Sequence, residues 1–190
     1  MKYSLSWLNQ EFEKGMQREF LFFWGHTQKN KGLTEKSCLS QWFPSPFTVR
    51  GVTYATAEHW MMAKKAELFN DIEIRQHILE SETPAIAKEL GRKVKNFDDG
   101  KWSKACFDIV VEGNINKFSQ RDELRKFLLN TANKVIVEAS PTDTIWGIGL
   151  PQDNPRALSP SAWRGKNLLG FALMEVRDYL KNSIKTIGDD

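Results

Sequence analysis

Thr53-Tyr54-Ala55-Thr56-Ala57-Glu58-His59-Trp60-Met61-Met62-Ala63-Lys64-Lys65-Ala66 is the stretch around which the chain is organised. Thr56 is suited to cap a helix, because its hydroxyl can accept from a backbone N–H of the first turn. From Ala57 to Phe69 there is no Gly or Pro, and Ala, Met, Lys, Glu and Leu favour helix. Glu58 then falls in the first turn, where unpaired N–H groups and the positive end of the helix dipole favour a carboxylate. Met61, Met62 and Lys65 follow at three, four and seven positions, on the same face. A carboxylate, a soft apolar surface and a lysine in a row could serve a polar ligand with a flat ring and a phosphate. The plainer reading makes Glu58 a dipole partner and the two methionines core.

The surroundings give this helix a setting. Phe47 to Tyr54 alternates apolar and polar residues about Arg50-Gly51, which predicts a short β-hairpin feeding the helix. Glu19 to Trp24 is aromatic-rich, ends at Gly25 and predicts a buried strand. Residues 29–36 are polar and read as a loop. The two prolines of Cys38 to Pro46 exclude regular helix there. Further on, Asp71 is placed to cap a helix over 72–80. Thr83-Pro84 marks another start, with Gly91 expected just past its end. A long helix is predicted over 102–118, a short one over 121–130, a strand at Val135 to Ala139 and a final helix over 168–184 capped by Asn167. The last residues, from Gly188, are expected to fray. This is an α+β pattern: a compact, mostly helical single domain with a small β-sheet. Residues 1–19 read as an N-terminal extension and 20–190 as the domain.

Composition narrows the functional classes. The chain has 190 residues, 41% of them hydrophobic and 27% charged, with a net charge of +3. That is ordinary globular composition, long enough for one sizeable core. Its mean hydropathy is −0.49, and no apolar run approaches the roughly 18 residues of a membrane span. The N-terminus lacks the apolar stretch of a signal peptide, so a cytoplasmic protein without a membrane partner is expected. Cys38 and Cys106 stand far apart, and His26, His59 and His77 have no metal-ligand spacing, so no metal is expected. Twelve per cent of the residues are aromatic, with seven tryptophans. Several of these lie beside polar turns, where stacking on a flat ligand competes with a place in the core.

Three further clusters are candidates for chemistry. Arg92, Lys93 and Lys95 form a basic group that is either a solvated face or a phosphate clamp. Ser140-Pro141-Thr142-Asp143-Thr144-Ile145-Trp146-Gly147-Ile148-Gly149-Leu150 joins a carboxylate, a tryptophan and two glycines after a strand. Asp143 there either caps a turn or lines a site. Gly147 and Gly149 permit positive φ or a close backbone approach. Arg164 and Lys166, beside the start of the last helix, are an anion-binding candidate.

Taken in order, these stretches resemble a known family. Phe22-Phe23-Trp24-Gly25-His26, Leu39-Ser40-Gln41-Trp42, the Glu58 stretch and Gly91-Arg92-Lys93-Val94 match, as do Trp102, Gly113-Asn114, the Asp143 stretch and Trp163-Arg164-Gly165-Lys166-Asn167-Leu168-Leu169-Gly170. The sequence is similar to the NADAR superfamily of YbiA-like N-glycosidases over about residues 20–181. The resemblance implies hydrolysis of an N-glycosidic bond with no metal or other cofactor. It implies a small phosphorylated ribosyl substrate, such as a ribosylamino-pyrimidine phosphate of riboflavin synthesis, or ADP-ribosylated guanine, including modified nucleic acid. It places catalytic residues at Glu58, Asp143 and Trp102, which are expected to converge on one cleft. Trp146, Lys65, Arg92, Lys166, Trp24, Gly25 and Gln41 are the candidates for substrate binding. Gln41 stands where many relatives have Asn, Trp24 where many have Tyr, and Met62 and Lys64 where the YbiA pattern has Gln. The alternative is a non-catalytic module that binds ADP-ribose or another nucleotide. Oligomeric state is not legible in the sequence.

Overall fold

The computed structural model describes residues 1–28 and 34–188, the side chains through Ser183. In chain order the elements are α1 (Leu5–Glu13), β1 (Phe20–Phe23), β2 (Phe47–Val49), β3 (Val52–Tyr54), α2 (Ala57–Leu68), α3 (Ile72–Glu80), α4 (Pro84–Arg92), α5 (Asp99–Ser119), α6 (Asp122–Asn130), β4 (Val135–Glu138) and α7 (Leu168–Gly188). The fold is mostly helical α+β, as its sequence pattern predicts, with the strands divided between two two-stranded sheets. Residues 29–33 of the predicted loop lie outside the described residues, and Lys36 already begins a single 3-10 turn, Lys36–Leu39. Of the end expected to fray, residues 189–190 also lie outside them.

The chain divides into two units, Met1–Ser40 with Glu123–Asp190, and Gln41–Asp122. In the second unit the hairpin turns on Arg50 and Gly51, at φ 50° and 79°. Two successive positive φ values are what a tight two-residue connection needs to match the twist of its strands. Gln120, just past α5, pairs with both backbone groups of Thr48 at 2.9 Å and so occupies the outer edge of β2. Helix α2 is the centre of this unit and packs against α3, α4 and α5. Residues 57–63 and Ala66 are all buried, so Met61 and Met62 belong to the core, the plainer of their two readings.

Caps fall where the residue types place them. Thr56 accepts from His59 N–H, Asp71 from Ile74, Thr83 from Ile86 and Asp98 from Lys101. Asp98 sets the start of α5 at Asp99, three residues before the predicted position. Gly91 departs from its expected place past the end of α4: it lies inside the helix, and Met62 occupies the space a side chain would take. The long-range contact, rather than helix termination, is what this glycine serves.

In the first unit β1 and β4 pair in parallel, from Phe20 opposite Val135 to Phe23 opposite Glu138. Val135, Ile136 and Val137 are fully buried, and α7, whose Leu169, Phe171, Leu173 and Val176 are buried as well, packs against their strand. Helix α1, in the segment read as an extension, buries Leu8 completely and sets Trp7 edge-on to Phe171 at 6.5 Å. Arg177, buried in α7, is satisfied by Thr131 Oγ1 and Lys134 O, both at 2.8 Å.

The close approach of α5 to α2 at Gly113 supplies a test. A Cβ at Gly113 would stand 2.7 Å from Trp60 Nε1, whose N–H is already committed to Ile109 O at 2.8 Å. Trp60 is rigid and fully buried, so Gly113→Ala should lower the unfolding free energy by about 1–3 kcal/mol. At Gly91 the obstacle is a flexible methionine, and Gly91→Ala should change stability by less than about 1 kcal/mol. Urea unfolding of the two variants beside the wild type measures the contrast. Equal losses would show that indole packing does not fix the α2–α5 spacing.

Candidate active site

Glu58 is the second residue of α2 and only 2% exposed. Its N–H donates to Gln41 O at 3.0 Å, which satisfies one of the donors a helix start leaves open. The cap residue next to it is locked by a buried ring. Thr56 Oγ1 lies 2.8 Å from His59 Nδ1, while His59 Nε2 lies 3.1 Å from Ser81 O. A carbonyl can only accept, so Nε2 carries the proton and Nδ1 accepts from the Thr56 hydroxyl. Burial holds His59 below its ordinary pKa and keeps it neutral, so it serves as a clamp on the helix start.

Gln41 is 7% exposed and Asn114 completely buried. Asn114 Nδ2 donates to Gln41 Oε1 and to Val110 O, both at 2.8 Å. Those bonds fix how the Gln41 amide is turned. Gln41 Nε2 and Asn114 Oδ1 are left buried with no hydrogen-bond partner among the described residues. Asn114 is a residue of this site that reading the sequence left without a role. Its signals are its place in the Gly113-Asn114 pair of the resemblance and a carboxamide on the same helix face as the buried Val110, four positions earlier.

A third group in the same unit gathers three of the expected residues. Lys65 Nζ donates to Gly91 O at 2.8 Å and stands 4.2 Å from the Phe97 ring centre and 5.7 Å from that of Trp102. Its pKa is lowered, first by burial and then by the charge of Arg92. Arg92 is exposed and Trp102 half-buried. Lys93 and Lys95, the rest of the basic cluster, pair with Glu89 at 3.1 Å and Glu73 at 2.9 Å on the surface.

In the first unit the expected residues follow the carboxyl ends of the parallel strands, a usual place for ligands in such sheets. Trp24 and Gly25 come directly after β1. Trp24 is 64% exposed and Gly25 has φ 80°. The 140–150 segment follows β4. Asp143 Oδ1 accepts from Ile145 N at 2.8 Å and Trp146 N at 2.7 Å, so one oxygen does cap the turn. The other, Oδ2, makes no hydrogen bond among the described residues. Trp146 is half-buried and Lys166 exposed. The close approaches of Gly147 are to this chain's own backbone, with Glu138 O at 2.9 Å from a Cβ placed there.

Two expectations about α7 need correction. Its first two N–H groups are occupied, Leu168 N by Ile145 O at 3.2 Å and Leu169 N by Trp146 O at 3.1 Å. Those two groups are therefore not open to an anion, and beside them Lys166 contributes its own ammonium. Nor does the Asn167 side chain cap the helix. It is bonded to β4, through Ile136 O at 2.9 Å and Glu138 N at 3.0 Å.

With this geometry in view, a family assignment can be made. The family model of the NADAR domain matches residues 22–181. The chain belongs to the NADAR family. It is 45% identical over 165 residues to N-glycosidase R617 of Acanthamoeba polyphaga mimivirus, covering 84% of this chain and 95% of that one. It is 33% identical over 135 residues to N-glycosidase YbiA of Escherichia coli, covering 71% and 76%. The NMR structure of E. coli YbiA superposes with a TM-score of 0.70 at 28% identity, covering 90% of this chain and 89% of that one. The helical α+β fold is thus one that this NADAR chain shares with YbiA. Among the described residues no helix is long and apolar enough to cross a membrane, and no His, Cys, Asp and Glu residues group as a metal site.

The His59 clamp has a pH signature. Its folded pKa lies below the ordinary value of about 6.5. The unfolded chain therefore takes up a proton first as pH falls, while the folded His59 stays neutral. Stability is complete above about pH 6.5 and declines below it, by at most about 1.4 kcal/mol per pH unit from this group. Urea melts of wild type and His59→Gln at pH 7.5 and 5.5 should show the steeper acid loss in the wild type. Parallel losses would remove His59 as the source.

Proposed function

We propose that this NADAR chain is an N-glycosidase that splits the bond between a phosphorylated ribose, or the ribose of an ADP-ribosyl group, and a base-like ring. That it is a hydrolase acting on N-glycosyl compounds follows from its family and its N-glycosidase relatives. The finer reading covers ribosylamino-pyrimidine phosphates and ADP-ribosylated guanine, free or in nucleic acid. One observation carries it: a carboxylate held at a helix start, in the same unit as a half-buried tryptophan with the Lys65 ammonium 5.7 Å from its ring, a lysine that also feels the charge of Arg92.

The chemistry asks for such a set. Cleavage breaks the C1′–N bond, water adds its oxygen to C1′, and the departing nitrogen gains a proton. The sugar passes through an oxocarbenium-like state with positive charge at the ring. Glu58 serves as the acid/base group, taking the proton of the attacking water or giving one to the leaving ring. Asp143 is the second carboxylate, offering Oδ2 to the developing charge while Oδ1 holds its own turn. Trp102 and Trp146 stack on the base, with Trp24 and Gly25 beside the strand end as further contacts. Gln41, whose carbonyl receives the Glu58 N–H, is the further candidate contact beside that carboxylate. Arg92 and Lys166 take the phosphate, and Lys65 is a further cation of the substrate-binding set. Water is the only co-reactant the scheme needs. The half-exposure of Trp102 and Trp146 favours this over a purely structural domain.

The decisive variant is Glu58→Gln, which keeps the shape and removes both the charge and the exchangeable proton. Melting temperature should stay close to wild type while single-turnover cleavage falls by about 10²–10⁴-fold. The substrates are a ribosylamino-pyrimidine phosphate, ADP-ribosylated guanosine and NAD, with released sugar measured. A folded Glu58→Gln protein cleaving at the wild-type rate would refute the role of Glu58. Wild type that binds ADP-ribose and cleaves none of the three would favour the binding module.

Arg92 is exposed and makes no ion pair among the described residues, so its charge is available to a ligand. Arg92→Ala should raise KM for a phosphorylated substrate more than it lowers kcat, the mark of binding shared by ground and transition states. A collapsed kcat at constant KM would move Arg92 into the chemical step.

A further inference from the structure

Phe97 was singled out by neither motif nor resemblance. It is 45% exposed, yet it is not a loose surface ring. Phe69 supports it at 5.3 Å between ring centres and is itself buried. The segment that carries it is pinned on both sides. Lys95 N donates to Asp71 Oδ2 at 2.9 Å and Val94 is buried before it, while Asp98 caps α5 after it. An open aromatic surface in a fixed position is a stacking platform, because little side-chain entropy is lost when a ring lands on it.

Lys65 gives that platform a polar neighbour. Its ammonium lies 4.2 Å from the centre of Phe97 and 5.7 Å from that of Trp102, so the two rings share one cation. An ammonium carries three N–H donors. One goes to Gly91 O, and the other two have no hydrogen-bond partner among the described residues. A half-buried donor group between two rings suits a planar ligand that brings both a π face and ring acceptors. A bare phosphate would use the charge and leave the rings idle. Arg92, exposed and able to pair with two oxygens, is the better phosphate ligand.

We propose that Phe97 is a specificity residue which, with Lys65 and Trp102, binds the heteroaromatic base of the substrate, and that Lys65 donates to an acceptor on that base rather than to the phosphate. This rests on the N-glycosidase reading and divides the labour within it: Phe97 and Lys65 recognise the ring, Arg92 the phosphate.

Binding without turnover separates the two ideas. Affinities of AMP, GMP, UMP and ribose 5-phosphate are measured by calorimetry for wild type, Phe97→Ala, Phe97→Tyr and Lys65→Met, each checked for folding by circular dichroism. Phe97→Ala should weaken the nucleotides on the order of 10-fold, with ribose 5-phosphate altered less than about two-fold, and Phe97→Tyr should restore them. Lys65→Met should weaken nucleotides more than ribose 5-phosphate. Wild-type nucleotide affinity in Phe97→Ala overturns the proposal. So does an equal loss for ribose 5-phosphate, or no nucleotide binding by wild type at millimolar concentration. If the binding pattern holds and no substrate is cleaved, the hydrolytic reading fails while the base platform stands. Cleavage with an unchanged KM in Phe97→Ala refutes the platform alone.

Discussion

The outer edge of β4 is the constraint on which the first unit depends. A parallel pair of short strands has two open edges, and buried backbone groups there must find partners. Val135 N and Ala139 N point to β1, bonding Glu19 O and Phe23 O. The alternating groups between them face the other way, where there is no third strand among the described residues. Asn167 takes the place of one. Its carboxamide accepts from Glu138 N and donates to Ile136 O, so a single side chain makes the pair of bonds a neighbouring strand would make. The neighbouring position bears the consequence. A Cβ at Gly170 would collide with Ile136 O and stand 2.5 Å from Asn167 Nδ2. Only a glycine lets the first turn of α7 press this closely on the strand.

From that point the order spreads to the segment carrying Asp143 and Trp146. Asn167 N bonds Gly147 O, and the next two N–H groups of the helix bond Ile145 and Trp146 carbonyls. Ile148 N bonds Glu138 O on the same edge of β4. The helix start is thereby satisfied by the loop, and the loop is held by the helix. A carboxylate and an indole on an irregular segment are given the fixed positions that chemistry needs. The same bonds take the first two N–H groups of the helix out of service for an anion. Positioning the loop and binding a phosphate at those N–H groups are mutually exclusive uses.

What could be read from the sequence was mostly local. Arg50-Gly51 specifies its turn through backbone conformation alone, and Thr56, Asp71 and Thr83 cap helices within three residues of themselves. Each reading needs no knowledge of the rest of the chain. Gly91 and Asn167 were misread for the opposite reason. Both have the usual chemistry of helix ends, and both are used for contacts far away in sequence, with Met62 and with β4. The candidate catalytic and binding residues came from the resemblance, and the structure sets Lys65 beside Trp102 and within the field of Arg92. Asn114 and Phe97 stayed hidden because their meaning lies in a partner: Gln41, 73 positions away, and a lysine whose ring contacts no pattern announces.

Gln41 and Asn114 also show where the fold gives up stability. Burying a polar atom without a hydrogen bond costs about 1–3 kcal/mol, and here two such atoms belong to one amide pair. An apolar pair of similar size would avoid that cost, whereas turning the Gln41 amide over would set its N–H groups against the Asn114 donor. Core packing alone therefore does not account for these residue types. The amide pair stands directly behind the start of α2, where the Gln41 carbonyl receives the Glu58 N–H. Local rules are broken most often where function demands it. On that reasoning the cost lies beside the candidate site: the unpaired amide groups belong to Gln41, whose main-chain carbonyl receives the Glu58 N–H, and to the residue that holds its side chain.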